Sequence, residues 1–315
     1  MKKVTIMITC RDRQWTLPRV LNYYKNVDNI FVLDSSMVKF DQKESFPWAQ
    51  FVEYSHSDIS IYDMWIDFIE NYVKTDYICW NNDDDFTVKD FLHRAADFLD
   101  ENKNFSMALG QHIQIGNPRY GQQHFLRPDI VTDDPSARLD YYFDPLFASP
   151  HGVIRKETFL NACKIVSKTT KNKEHSLGPI RFWDKILNFI AACDGNIKTI
   201  DCLGTVRSYG YSSPYGVAAT GRMIDDFDYP NILEKDVEYS MIIERISKFN
   251  PLAEYLSSIH GMDIENCKEL TKRVFKKSLM SKDLISYEDL EKLPINRLDG
   301  KEAIEEILNC IKTWR

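Results

Sequence analysis

The chain has 315 residues, 43% of them hydrophobic and 13% aromatic, enough apolar material for one large core or two modest ones. Its net charge of -7 excludes a broad nucleic-acid-binding surface. No run of about 18 apolar residues occurs, so no membrane-spanning helix is expected.

The opening Met1-Lys2-Lys3-Val4 lacks the apolar stretch and small residues of a secretory signal. The seven cysteines are scattered, odd in number and without a CxxC pair. That pattern suits buried thiols in a reducing compartment and makes zinc binding through cysteine improbable, so a cytoplasmic location is expected.

Short apolar runs alternate with helical patterns over roughly the first 200 residues, the signal for an α/β sheet. Residues 4–9 are β-rich and precede a helix around 17–24. A second strand spans 29–33 and closes on Asp34-Ser35-Ser36, a third spans 50–54, and a helix covers 61–73. The fourth strand, 77–80, runs directly into Asn81-Asn82-Asp83-Asp84-Asp85-Phe86.

Three adjacent carboxylates repel one another and are costly to desolvate unless a cation sits among them. A hard divalent ion, Mg²⁺ or Mn²⁺, is the natural partner, with the rest of its shell shared with substrate phosphates. A solvated acidic turn is the competing account. Thr87 to Asp90 reads as a capping box opening a helix whose apolar face is Val88, Phe91, Leu92, Ala95, Phe98 and Leu99. The acidic cluster then lies between a strand's carboxyl end and a helix, where open α/β sheets bind ligands.

Further along, 105–115 is a strand and 116–150 an irregular stretch of the kind that forms binding loops. Apolar character returns at 149–154 before a helix over 157–166. Residues 168–174 form a charged loop, 180–192 a helix and 197–200 a short strand. Beyond Ser212 the pattern changes to amphipathic helices at 234–249, 264–279 and 302–311, read as a helical region packed on, or extending, the first domain.

On four stretches the sequence resembles the GT-A nucleotide-sugar glycosyltransferases, most closely those of family 2. The first is Thr9 followed by Asp12-Arg13-Gln14-Trp15-Thr16-Leu17-Pro18-Arg19-Val20-Leu21, with Asp where the family has Asn and one extra residue before it. The second is Ile30-Phe31-Val32-Leu33-Asp34-Ser35-Ser36. The third is Tyr77 to Phe86 with its acidic triplet. The fourth is Phe182-Trp183-Asp184-Lys185-Ile186-Leu187, followed by Gly195-Asn196-Ile197. The arginine the family often carries before the acidic strand is absent, since Ile61-Tyr62-Asp63 stands there.

The resemblance implies a GT-A domain over 1–215, a Rossmann-like mixed sheet flanked by helices, with a helical region over 216–315. It implies an inverting, metal-dependent transfer of a sugar from a nucleoside diphosphate, UDP favoured, to a hydroxyl acceptor in bacterial surface glycan synthesis. Asp85 would ligate Mn²⁺ or Mg²⁺, and Asp83 would share the ion or contact the ribose. Asp84 is placed with the nucleotide or, equally, in a structural role at the strand–helix junction. Asp34 would meet the base, or alternatively hold a turn. Thr9, Arg11 and Arg13 would hold base and phosphate, with a surface salt bridge the competing account for one arginine.

Asp184 is the expected general base, taking the acceptor's proton as the new bond forms, with a helix N-terminal Asp serving the macrodipole as the competing account. His151, Arg207 and Tyr209 are candidates for phosphate or acceptor contact, the last two flanking a Gly/Ser loop able to close over the diphosphate. A basic face, Lys268, Lys272, Arg273, Lys276 and Lys277, is read as a solvated helix side or as a contact with anionic lipid, which would fit a lipid-linked acceptor. Partners are thus a nucleotide-sugar donor and a glycan or lipid-linked acceptor; nothing indicates the oligomeric state. Two rivals stand beside this: a nucleotidyltransferase, disfavoured because 9–13 has no glycine, and a nucleotide-sugar- or glycan-binding protein that has lost turnover.

Overall fold

The first strand, β1 (Val4–Cys10), is buried along almost its whole length and lies inside the sheet with a neighbour on either side. The computed structural model describes residues 3–56, 60–117, 121–125, 129–142, 151–170, 183–208, 250–280 and 300–312. Around β1 gather β2 (Ile30–Asp34), β3 (Ala49–Glu53), β4 (Tyr77–Asn82), β5 (Asp85–Thr87), β6 (Phe105–Asn117), β7 (Gly121–Phe125), β8 (Gly152–Arg155) and β9 (Asn196–Ser208). The order is β3-β2-β1-β4-β8-β6-β9-β5, with β7 paired to β6. Strands β1 to β4 run parallel, while β8 is antiparallel to both β4 and β6 and β5 is antiparallel to β9. The architecture is an α/β mixed sheet.

Helices cover both faces, and side-chain alternation along the strands decides which residues meet them. Met7, Phe31, Leu33, Ile78 and Trp80 point to one core, with α2 (Ile61–Asn71), α4 (Pro135–Tyr142), α5 (Lys156–Thr170) and α6 (Trp183–Asp194). Ile6, Ile8, Ile30, Val32 and Cys79 point to the other, with α1 (Leu17–Tyr23) and α3 (Lys89–Glu101). Each central strand is therefore apolar on both sides, as buried parallel strands are.

The carboxyl-terminal helices divide between the two cores. Leu252 and Leu256 of α7 (Pro251–His260) and Phe275 of α8 (Ile264–Met280) enter the first, and Ile307 of α9 (Lys301–Lys312) enters the second beside α1. Among the described residues no helix is long and apolar enough to cross a membrane.

Several sequence expectations need correction. Thr87 is not a helix cap: it ends β5, the N-cap of α3 is Val88, and no side chain caps that helix. Residues 168–170 are the last turn of α5 rather than loop. The strand expected at 197–200 is β9, 13 residues long, because pairing with both β6 and β5 keeps it extended. The irregular stretch 116–150 contains β7 and α4, and α7 was not anticipated. The helix expected over 234–249 and the loop after Arg207 lie outside the described residues.

Candidate functional site

The chain runs outward from β1 through β2 to β3, then returns to place β4 on the opposite side of β1. This reversal opens a crevice at the carboxyl ends of β1 and β4, the position at which α/β sheets bind ligands. The loop after β1 carries Arg11, Asp12 and Arg13, and the turn after β4 carries Asp83 and Asp84, with Asp85 opening β5.

Arg13 crosses the crevice. Its Nε donates to Asp83 Oδ2 at 3.2 Å and its Nη2 to Asp83 Oδ1, while Nη1 donates to Asp84 Oδ2 at 3.1 Å. The Arg13 side chain is 14% exposed and that of Asp83 only 1%, so this is a buried clamp and not a surface salt bridge. Burial pushes Asp83 up to about 7, against the pull of Arg13 and with the push of Asp84. Two acids sharing one guanidinium leave one of them short of positive charge. The Cys10 thiol, itself raised by burial and then by Asp83, acts on Asp83 in the downward direction.

Local structure aims Arg13. Asp12 adopts the left-handed conformation at φ 56°, which Asp and Asn tolerate better than other side chains. Its amide donates to Ser36 Oγ at 2.9 Å and its Oδ1 accepts from the Met37 amide at 2.8 Å. Thr16 Oγ1 donates to the Arg13 carbonyl at 2.7 Å. Arg11 instead donates to the His56 carbonyl at 2.8 Å, in an exposed bond, so of the two arginines only Arg13 meets the acidic turn.

Asp85 is equally buried but has different company. Asn82 Nδ2 donates to its Oδ2 at 2.8 Å, His151 Nε2 lies 3.6 Å from that oxygen, and Arg207 Nε lies 3.9 Å from it. Arg207 belongs to β9 and is the register partner of Asp85, so the antiparallel pairing itself sets the two side by side. His151 stacks on Trp80 at 5.1 Å and 14°, and His112 stacks on His151 at 6.3 Å and 19°. Trp80 Nε1 donates to Thr9 Oγ1 at 3.3 Å, which is how Thr9 joins the site.

Beneath the acidic turn lies a fully buried hydrogen-bond web. Tyr24 OH accepts from Asn81 Nδ2 at 2.5 Å and from the Thr87 amide at 2.8 Å, and donates to the Thr87 carbonyl at 3.2 Å. Thr87 Oγ1 donates to Asn81 Oδ1 at 2.7 Å. The residue that closes α1 thus fastens the strand before the turn to the strand after it.

Asp34 is fully buried and faces inward. Its Oδ1 accepts from the Ser36 amide and its Oδ2 from the Phe40 amide, each at 2.9 Å, so both oxygens hold the loop after β2. Asp184 stands in the first turn of α6, and its side chain lies outside the described residues, as does Tyr209. Within the basic face of α8, Lys268 pairs with Glu265 and Arg273 with Asp140.

Sequence reasoning missed Asn82, Trp80, His112 and Tyr24. The signal for Asn82 was its place beside the triplet, whereas the other three are brought in by tertiary packing. It also missed an exposed apolar rim: Trp15, Met37 and Val38 are 63%, 74% and 75% exposed. Gln14 Nε2 bonds the Val38 carbonyl, and Lys39 Nζ bonds the carbonyls of Asp34, Ser36 and Tyr54, tying the rim's loops together. Large apolar groups held out in water beside a crevice suggest a ligand surface.

The donor set suits a hard divalent cation: clustered carboxylate oxygens, with a guanidinium already standing in as the positive charge. Among the described residues no three acidic, histidine or cysteine side chains converge on one point, but an ion that shares phosphate oxygens needs only one or two protein carboxylates.

No protein-family model matches the chain, and no curated protein matches it. Among solved structures it is similar to the CMP:2-keto-3-deoxy-manno-octonic acid synthetase complexed with CTP, at 11% identity and a TM-score of 0.37, over 68% of this chain and 94% of that one. No functional inference rests on a likeness of this size.

Proposed function

We propose that the chain is a GT-A glycosyltransferase that moves a sugar from a nucleoside diphosphate, UDP favoured, to a hydroxyl acceptor in glycan synthesis. The observation that carries this reading is the acidic turn of Asp83, Asp84 and Asp85 at the β1/β4 reversal, with the Arg13 guanidinium seated on Asp83 and Asp84. A binder with no use for cations and phosphate has no need of three buried acids at that point.

Asp85 and Asp83 would hold Mg²⁺ or Mn²⁺, which when bound offsets the charge of the leaving diphosphate, a contribution worth several kcal/mol. Arg207, beside Asp85 and half-exposed, is the chain's own phosphate contact. His151, fixed by its stack on Trp80, lines the same wall and excludes water from it. Trp15, Met37 and Val38 offer the apolar rim on which a base can rest, a task not left to Asp34, whose oxygens are engaged. Asp184 takes the proton from the acceptor hydroxyl as oxygen bonds the anomeric carbon and the diphosphate leaves from the opposite side, which inverts that carbon. The loop after β1, 11–13, has no glycine to cradle a triphosphate, and this weighs against nucleotidyl transfer.

The test is thermal stabilisation by UDP, GDP, CMP and dTDP, each with and without Mn²⁺. One nucleoside diphosphate should stabilise the protein with metal by about 3 kcal/mol at a hundredfold excess over its dissociation constant. The effect should vanish in Asp85→Ala. Metal-dependent hydrolysis of the matching nucleotide-sugar should be lost in Asp184→Ala while nucleotide binding survives. Stabilisation without any turnover would instead identify a binding protein, and no stabilisation by any nucleotide would refute the reading.

A further inference from the structure

We propose that Arg13 couples divalent-cation binding to diphosphate binding: its guanidinium, shared with Asp84, occupies the oxygens of Asp83 that the cation needs until an anionic ligand draws it away. The inference deepens the glycosyltransferase reading and rests on it.

The geometry defines two obstacles. Asp83 presents both oxygens to Arg13, which is in turn shared with Asp84, and all three groups are largely removed from water. A divalent ion arriving alone must expel the guanidinium from Asp83, leaving a largely buried positive charge unpaired beside the ion, a costly arrangement. A diphosphate arriving alone meets the opposite difficulty. Among the described residues Arg13 is committed to Asp83 and Asp84 and Arg207 lies beside Asp85, so an arriving anion finds each of these guanidiniums already facing acidic side chains. An anion is not drawn to such a site.

Together the two ligands remove both obstacles. The ion takes the carboxylate oxygens, and the phosphate oxygens take the freed guanidinium, whose planar fork fits them two bonds at a time. The exchange needs only a side-chain rotation. The Arg13 backbone is pinned by Thr16, and the preceding Asp12 is held by Ser36 and Met37. Because the coupling is thermodynamic it is reciprocal: each ligand strengthens the other by the same factor.

The experiment measures Mn²⁺ binding from the free-ion EPR signal and UDP binding by calorimetry, each with and without the other ligand. It uses the full chain as wild type, Arg13→Ala and Arg13→Lys. In the wild type, UDP should tighten Mn²⁺ by about tenfold or more, and Mn²⁺ should tighten UDP equally. In Arg13→Ala, Mn²⁺ alone should bind about tenfold more tightly than to the wild type, a gain that no purely structural role for Arg13 produces. If Arg13→Ala does not fold, Arg13→Lys, which keeps the charge but not the fork, should show a smaller coupling factor.

Equal Mn²⁺ affinity with and without UDP in the wild type, or an Arg13 substitution that leaves both affinities unchanged, overturns the inference. Failure of the function reading looks different. If no nucleoside diphosphate binds the wild type with Mn²⁺, that reading falls, while tighter Mn²⁺ binding in Arg13→Ala would still establish the clamp.

Discussion

Asp34 and Tyr24 show how a single side chain's partners decide what it does. Asp34 ends a strand at the site's edge, the position from which a carboxylate reads a base. Its oxygens nevertheless accept the Ser36 and Phe40 amides and hold the loop that displays Met37 and Val38. Asp34→Ala should therefore lower unfolding free energy by on the order of 2–4 kcal/mol, since two hydrogen bonds to a charged, buried acceptor are lost. Urea denaturation measures this, and the preference among nucleotides should stay as in the wild type; a changed preference would assign Asp34 to the base after all. Tyr24 is the converse case, the residue just past α1, whose hydroxyl serves three polar groups beneath the acidic turn. Tyr24→Phe leaves Asn81 and both backbone groups of Thr87 without that partner, and should cost about 1–3 kcal/mol in the same assay.

At the scale of elements, the pairing of β6 with β9 sets the far wall of the site. The two strands touch at Gly110 and Gly204, where a Cβ on Gly204 would lie 2.5 Å from the Gly110 Cα. Only glycine at both positions allows that approach. The register shifts of β6 between Leu109 and His112 fall at the same place. Beyond it, β9 carries Arg207 to Asp85 through its pairing with β5. Gly204→Ala must push the strands apart, so a loss of about 1–3 kcal/mol is expected from overpacking. Nucleotide affinity in the presence of Mn²⁺ should fall with it, because β5 and Asp85 are carried on the displaced strand. Unchanged stability in urea would show that the strands separate at no cost.

On the scale of the whole molecule, the carboxyl-terminal helices are fastened to the sheet layer through polar as well as apolar contacts. Tyr255 of α7 donates to Asp194 Oδ1 at 2.6 Å, and Thr158 of α5 donates to its Oδ2 at 2.7 Å. Burial raises the Asp194 pKa, with the two hydroxyls pulling against that rise. As pH climbs past the ordinary carboxylate range, the unfolded chain releases this proton first while the native state retains it, so Asp194 makes the protein less stable as pH rises toward its native pKa. Asp194→Asn cannot ionise, and its stability in urea across that range should be flatter with pH than the wild type's; identical slopes would sink the assignment. Tyr255→Phe should weaken the docking by about 1–3 kcal/mol at any pH in the range.

The α/β alternation, the central strands and the acidic turn were legible in the sequence because they rest on local signals: apolar runs, helical spacing and three adjacent aspartates. The mutual repulsion of three adjacent carboxylates, which any positive neighbour relieves, was equally legible, since it follows from charge alone. Which positive neighbour does so was not. Arg13 and Asp83 lie 70 residues apart, and the reversal of strand order between β1 and β4 is what joins them. The same holds for Tyr24 under the turn, for His151 between Trp80 and His112, and for Arg207 opposite Asp85. Each is a long-range pairing selected by sheet register and packing, which local propensity does not encode. Apolar runs and the aspartate triplet were enough to put an acidic cluster at the carboxyl end of a buried strand. That one of the chain's own arginines bridges it depends on sheet order, which brings the loop after β1 against that turn.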